Sequence, residues 1–238
     1  YAALSSSDTG SRTVAIGSYA LEDQNPTGSD YFYNVAIGYT AGRDITTGTN
    51  NTIIGGLAGD SLTTGGRNIA IGYDALSTET GSDRSVAIGA EALKTQNVSS
   101  GNVYNVAIGD SAAENLTTGN LNTIIGGLAG DALTTGSNNV AIGYQALTGE
   151  DAHGNNVAVG YRALQVLNAG NTGNNVAVGK DAGKVVSTGI KNTILGSKAG
   201  DLLESGQNNI IIGYNAEASA VDVSNTITMG DSNVNLLR

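Results

Sequence analysis

The chain has 238 residues with a formal net charge of −10, no cysteine, no tryptophan, one proline and one histidine. That balance lacks the basic surface which nucleic acids and anionic membranes select, and it leaves neither a disulfide framework nor a thiolate nor a two-histidine metal site. Glycine accounts for 35 residues, about twice ordinary usage, yet 39% of the chain is hydrophobic, enough for a core, so a repeat is the expected explanation.

The string Val-Ala-Ile-Gly or a close variant recurs from Val14 to Gly230. The intervals between its glycines run 21, 17, 17, 17, 20, 17, 17, 17, 19, 17, 17, 17, which makes a 17-residue coil lengthened at every fourth repeat. Residues 13–230 therefore read as about thirteen coils in three four-coil blocks, and residues 1–238 as one repeat domain without a linker or composition shift. The extra residues fall at 21–33, 93–104 and 164–174, after the turn that follows each strand, and are expected to protrude. Beginning at Tyr1, the chain reads as a processed or excised piece, and no apolar run in it approaches the roughly 18 residues of a membrane span.

Each coil predicts one short strand just before its anchor glycine. Asn stands four residues before that glycine in ten coils, the exceptions being Thr13, Ser85 and Thr226. Ala stands three residues after it in twelve. Seventeen residues suit one turn of a parallel β-solenoid, with strands stacked about 4.8 Å apart. Equivalent residues then form ladders, represented by Asn34, Ile37 and Gly38 and again by Asn139, Ile142 and Gly143, with Ile inside and Asn at the corner. The middle strand position is apolar as well, so both faces call for cover. A narrow coil hides one of them, and the other, carried by Ala36, Ala70, Ala141 and Ala158, is expected at an interface between chains; the alternative is a wide single-chain solenoid in which another part of the same coil covers it.

Reactive constellations are sparse. The segment Gly55 to Leu62 approaches a calcium nonapeptide, but its fourth position is Ala58 and tandem copies are missing; no metal or cofactor site is predicted. Glu114 and Asp131 occupy one column in consecutive coils, a spacing near that of a retaining glycosidase pair, although Arg43 with Asp60 and Lys184 with Asp201 make the same column look like ordinary ion pairs. His153 lies in a polar corner with no nucleophile elbow in the chain. Tyr39, Tyr73, Tyr144, Tyr161 and Tyr214 directly follow anchor glycines and read as corner packing. Tyr31, Phe32, Tyr33 and Tyr104 lie in the insertions, outside the coil pattern, and are the candidates for receptor binding. The threonine pairs Thr46-Thr47 and Thr117-Thr118 recur in too few coils for an ice-binding face.

The run of Asn, one variable residue, Ala-Ile-Gly and a following Ala resembles the head repeats of trimeric autotransporter adhesins. The longer form, as in Asn138 to Leu147, is more similar to repeats in the fibre proteins of marine phages. The resemblance covers the coils from Thr13 to Gly213, and Asn225 to Val234 resembles the segment that precedes a self-cleaving chaperone domain in such fibres. It implies a homotrimer of left-handed parallel β-rolls outside the cell, on a virion appendage or a cell surface, contacting a host glycan or protein. The expected function is a non-enzymatic fibre segment. An adhesin head, or a tailspike-like enzyme that degrades polysaccharide, is the alternative.

Overall fold

A computed structural model describes residues 3–4, 12–25, 31–149, 152–169 and 172–234. Among them there is no helix; the elements are fifteen short strands. The chain divides into two compact units, Tyr1–Leu121 and Asn122–Arg238. The first holds β1 (Val14–Ile16), β2 (Val35–Ile37), β3 (Thr52–Ile54), β4 (Ile69–Ile71), β5 (Ser82–Asp83), β6 (Val86–Ile88), β7 (Gly101–Asn102) and β8 (Val106–Ile108). The second holds β9 (Thr123–Ile125), β10 (Val140–Ile142), β11 (Val157–Val159), β12 (Val176–Val178), β13 (Thr193–Leu195), β14 (Ile210–Ile212) and β15 (Ile227–Met229).

Both units are parallel β-solenoids. In the first, β1, β2, β3, β4, β6 and β8 pair in that order; in the second, β9 to β15 pair in sequence, always parallel and in the register set by the repeat, as in Ala36 on Ile53 and Ala141 on Ala158. The bond that enters a strand runs from its first N–H to the carbonyl of the ladder residue of the following coil, as from Val35 to Asn51 at 2.9 Å or from Ile69 to Ser85 at 2.9 Å. The bond that leaves it runs from the anchor glycine back to the preceding coil, as from Gly55 to Ile37 at 2.8 Å.

The strands point the opposite way from the expectation. Ala36, Ala70, Ala141 and Ala158 are each 0% exposed within the single chain, so the middle position faces the coil's own interior and is not left for a neighbouring chain. Ile37 and Ile142, expected inside, stand half-buried on the outer face beside Val35 and Val140. The reason is volume. Across the interior from the middle strand residue lies the fourth residue after the anchor, and in several coils the two sizes compensate: Ala70 meets a coil with Leu76 and Ala141 one with Leu147, while Ile53 goes with Gly59 and Ile124 with Gly130. Where both are small, Ala36 with Gly42 and Ala177 with Gly183, the side chains of Leu21 and Leu164 reach in from the preceding coil. A Cβ on Gly59 would stand 3.1 Å from the Ile53 Cδ1, tighter than ordinary packing. Ile45, Leu62 and Leu116 close the remaining side of the interior.

The corners run through left-handed backbone. The residue before the ladder position has φ between 51° and 66° in every coil: Arg12, Tyr33, Asn50, Arg67, Arg84, Tyr104 and Leu121 in the first unit, and Asn138, Asn155, Asn174, Lys191, Asn208 and Asn225 in the second. Left-handed φ costs most residues about 1 kcal/mol and asparagine less. The second unit spends Asn on five of its six such positions; the first does so only at Asn50. Past every anchor glycine but the last, Gly230, a further left-handed residue, such as Thr40 at 53° or Leu57 at 60°, bends the chain through turns closed by bonds such as Arg43 N–H to the Thr40 carbonyl at 3.1 Å.

The Asn ladder forms with its own geometry. Asn34 Oδ1 accepts the N–H of Asn51 at 2.9 Å, and Asn51 Oδ1 accepts that of Asn68 at 2.9 Å. Each Nδ2 donates to a carbonyl 14 residues on, Asn34 to Gly48 at 2.8 Å and Asn51 to Gly65 at 2.9 Å. All of these asparagines are buried, so the ladder satisfies backbone groups that no water reaches.

The long coils depart from that scheme. In the second block Ser85 replaces Asn, and a buried Gln96 bridges the gap: its Nε2 donates to Ser85 Oγ at 2.8 Å and its Oε1 accepts from Asn105 Nδ2 at 2.8 Å. The first block repeats this with Thr13 and Gln24, which accepts from Asn34 Nδ2 at 3.3 Å. In the third block Asn156 remains, Leu167 fills the glutamine position, and the buried Asn156 Nδ2 has no hydrogen-bond partner.

Candidate functional site

The first unit carries two similar side-chain clusters on the left-handed column. In one, the guanidinium of Arg12 lies 4.0 Å from the centre of the Tyr31 ring and 5.4 Å from that of Tyr33, and its Nη1 donates to the Tyr33 hydroxyl. The two tyrosine rings are 6.1 Å apart and tilted by 56°. In the other, Arg84 lies 5.4 Å from the centre of the Tyr104 ring, and its Nη1 donates to the Tyr104 hydroxyl at 3.2 Å and to Asn102 Oδ1. Arg12 and Arg84 are equivalent positions in successive blocks, as are Tyr33 and Tyr104.

The local fold builds both clusters. The arginine precedes the ladder residue of a long coil, Thr13 or Ser85, and the tyrosine precedes the Asn of the next, Asn34 or Asn105. Parallel pairing of β1 with β2 and of β6 with β8 sets the two side by side. Tyr31, Tyr33 and Tyr104 are 53%, 47% and 48% exposed. Phe32 is not: at 2% exposure it points into the coil, as Val103 does in the second block, so it serves as the plug that returns the insertion to the core and leaves the list of binding candidates. Among the described residues neither Arg12 nor Arg84 has a carboxylate partner. Residues 26–30 and 170–171 of the insertions lie outside the described part.

The remaining candidates do not converge on chemistry. Glu114 belongs to the first unit and Asp131 to the second, each half-buried at its corner. In the same column Arg43 sits 2.6 Å from Asp44 and 3.9 Å from Asp60, and Lys94 bridges Asp74 at 3.0 Å and Glu91 at 2.9 Å. Hydrogen bonds to Glu91 and Asp74 push the Lys94 ammonium upward, and burial pushes the Asp60 carboxyl above its usual range against the pull of Arg43. His153 contributes its backbone carbonyl to the ladder, accepting from Asn139 Nδ2 at 3.0 Å. Of the corner tyrosines, Tyr144 and Tyr161 stack at 5.8 Å with rings 15° apart, and Arg162, held 2.8 Å from Asp181, lies 4.6 Å from the Tyr161 ring centre.

One buried carboxylate escaped sequence reasoning. Glu79 is fully buried, yet its Oε1 accepts the N–H groups of Thr80, Gly81 and Ser82 at 2.9, 3.0 and 2.9 Å, and its Oε2 accepts from Gln96 Nε2 at 3.0 Å and from Val98 N–H at 3.3 Å. Such saturation makes it a structural acceptor that replaces the Leu62-type side chain of ordinary coils. The available signal was that Glu79 and Gln96 break the Leu62 column in consecutive coils while Ser85 breaks the Asn column between them.

Among the described residues no group of three or more potential metal ligands comes together, and no helix is long and apolar enough to cross a membrane. Comparison with protein-family models, with curated proteins and with solved structures finds no match.

Proposed function

We propose that the chain is a structural segment of an extracellular fibre, a phage tail fibre or similar virion appendage, which assembles as a homotrimer of left-handed β-rolls and holds side chains out for attachment to a host surface. The observation that carries this reading is the outer face of the strands. Their first and third residues, such as Val35 and Ile37 or Ile69 and Ile71, are mostly apolar and at least partly exposed in register along each unit, with Thr52, Thr123 and Thr193 as the polar exceptions. A sheet face bathed in water is normally polar at such positions. A face that repeats itself coil after coil is complementary to copies of itself, and a closed rotational assembly covers it without leaving a free edge. The number three comes from the resemblance to fibre and adhesin repeats. Recognition by many weak contacts suits such an assembly, since every exposed cluster is presented in three copies.

Sedimentation equilibrium should give a mass near three times 23.8 kDa. Ile71→Lys, which places charge on the half-exposed outer face, should yield a monomer that keeps its β circular dichroism. A stable native monomer, or a trimer undisturbed by Ile71→Lys, would contradict the reading.

A further inference from the structure

We propose that the two arginine–tyrosine clusters of the first unit, Arg12 with Tyr31 and Tyr33 and Arg84 with Asn102 and Tyr104, are repeated subsites for an acidic polysaccharide bearing uronate carboxylates. The proposal rests on the reading of the chain as an attachment segment and names the ligand that segment takes.

Three independent observations meet at these residues. The first is chemical. Each cluster sets a guanidinium beside one or two exposed phenol rings, with no carboxylate among the described residues opposite Arg12 or Arg84. The planar fork of arginine matches a carboxylate bidentately, and aromatic faces pack against the apolar side of a sugar ring. On a chain of net charge −10 these are local exceptions, and Asp83, the acidic residue next to Arg84, is already engaged by the Gly66 N–H at 2.7 Å and by Arg67 at 3.9 Å.

The second is conformational. Arg12, Tyr33, Arg84 and Tyr104 all hold left-handed φ at positions where the third block uses asparagine, Asn155 and Asn174. Asparagine is the residue that tolerates this backbone, so the fold itself does not ask for arginine or tyrosine there.

The third is that at the long coils the arginine and the tyrosine occur together or not at all. Both blocks that carry the pair also carry the insertion plug, Phe32 or Val103, and the buried glutamine, Gln24 or Gln96, beneath it; the third block has Gly173 and Leu167 instead. The whole device is present or absent as a unit in the three blocks. Four strand steps separate the two clusters, about 19 Å at the usual interstrand spacing, with Asn50 and Arg67 between them on the same column. A row of this kind fits an extended repeating polymer better than a compact ligand.

The test uses the full chain and, as probes, polygalacturonate oligosaccharides and uncharged dextran in titration calorimetry. The decisive variant is Arg12→Asn, Tyr33→Asn, Arg84→Asn and Tyr104→Asn together, which gives the clusters the residues of the third block. The native chain should bind polygalacturonate in a salt-sensitive way and ignore dextran. Each disabled cluster should weaken binding at least about tenfold, as expected for lost charge-assisted contacts. The quadruple variant should melt at or above the native temperature. No binding to polygalacturonate, equal binding to dextran, full binding by the quadruple variant, or a marked drop in its melting temperature would each overturn the proposal. The mass of the same sample separates the two readings. Failure to bind at the trimeric mass removes only the ligand, whereas a monomeric mass removes the fibre assembly.

Discussion

Asn50 and Asn51 are neighbours of the same type with opposite duties, and replacing each in turn by alanine isolates what the ladder contributes. Asn51 is buried; its side chain accepts from Asn68 N–H at 2.9 Å and donates to the Gly65 carbonyl at 2.9 Å. Asn51→Ala leaves one donor and one acceptor unpaired in a dry interior, at roughly 1–3 kcal/mol each, so the expected loss is about 2–6 kcal/mol. Asn50 is exposed, and its side chain meets only Thr49 Oγ1, at 2.9 Å. Asn50→Ala forfeits the left-handed tolerance of asparagine at φ 62°, a loss of about 1 kcal/mol. Urea denaturation measures both, and hydrogen exchange locates the first: the Asn68 amide should lose protection in Asn51→Ala and keep it in Asn50→Ala. Equal destabilisation by the two variants, or an Asn68 amide still protected in Asn51→Ala, would refute the ladder argument.

Close contact between coils makes a second test. At Gly72, with φ +137°, a Cβ would lie on the Gly89 carbonyl, whereas at Gly56 the nearest obstacle is the Tyr73 ring at 3.7 Å. Gly72→Ala should fail to give a soluble folded chain and Gly56→Ala should melt within a few degrees of native, by differential scanning fluorimetry. Titration supplies a third. Burial raises the carboxyl of Asp60, against the pull of Arg43, and that of Glu217, where Asp201 adds to the rise. In the pH window between the ordinary carboxylate range and these raised values the native state binds more protons than the unfolded state, so stability falls as pH rises through it. Melting temperatures across that window should decline less in Asp60→Asn with Glu217→Gln than in the native chain, and superimposable curves would show that neither burial matters.

The repeat was legible because parallel in-register stacking forces equivalent residues to meet, so the period of Asn34, Asn51 and Asn68 is also the period of the hydrogen bonds. Facing was misread because both sides of each strand are apolar, and the bulkier Ile37 looked more like core than Ala36 did. The sequence did hold a corrective: Ile53 with Gly59 and Ala70 with Leu76 trade volume, which only residues inside the same coil need to do. Tyr31, Tyr33 and Tyr104 were found as departures from the pattern, while Arg12 and Arg84 were missed because a lone exposed arginine carries no periodic signal. Phe32 was misplaced for the converse reason, since flanking tyrosines made it read as part of an exposed cluster. Glu79 and Gln96 lay outside any motif, and their burial depends on backbone N–H groups that no composition rule reveals.

The constant register has a consequence for how the chain folds. Ladder partners such as Ala36 and Ile53 or Ala141 and Ala158 are 17 residues apart in a chain of 238. That separation corresponds to a relative contact order of roughly 0.07, the range of helical bundles and well below that of β-sandwiches. A sheet is usually slow to form because distant segments must find one another; here each strand needs only its immediate predecessor. Such local pairing lets the sheet grow one coil at a time from any formed pair.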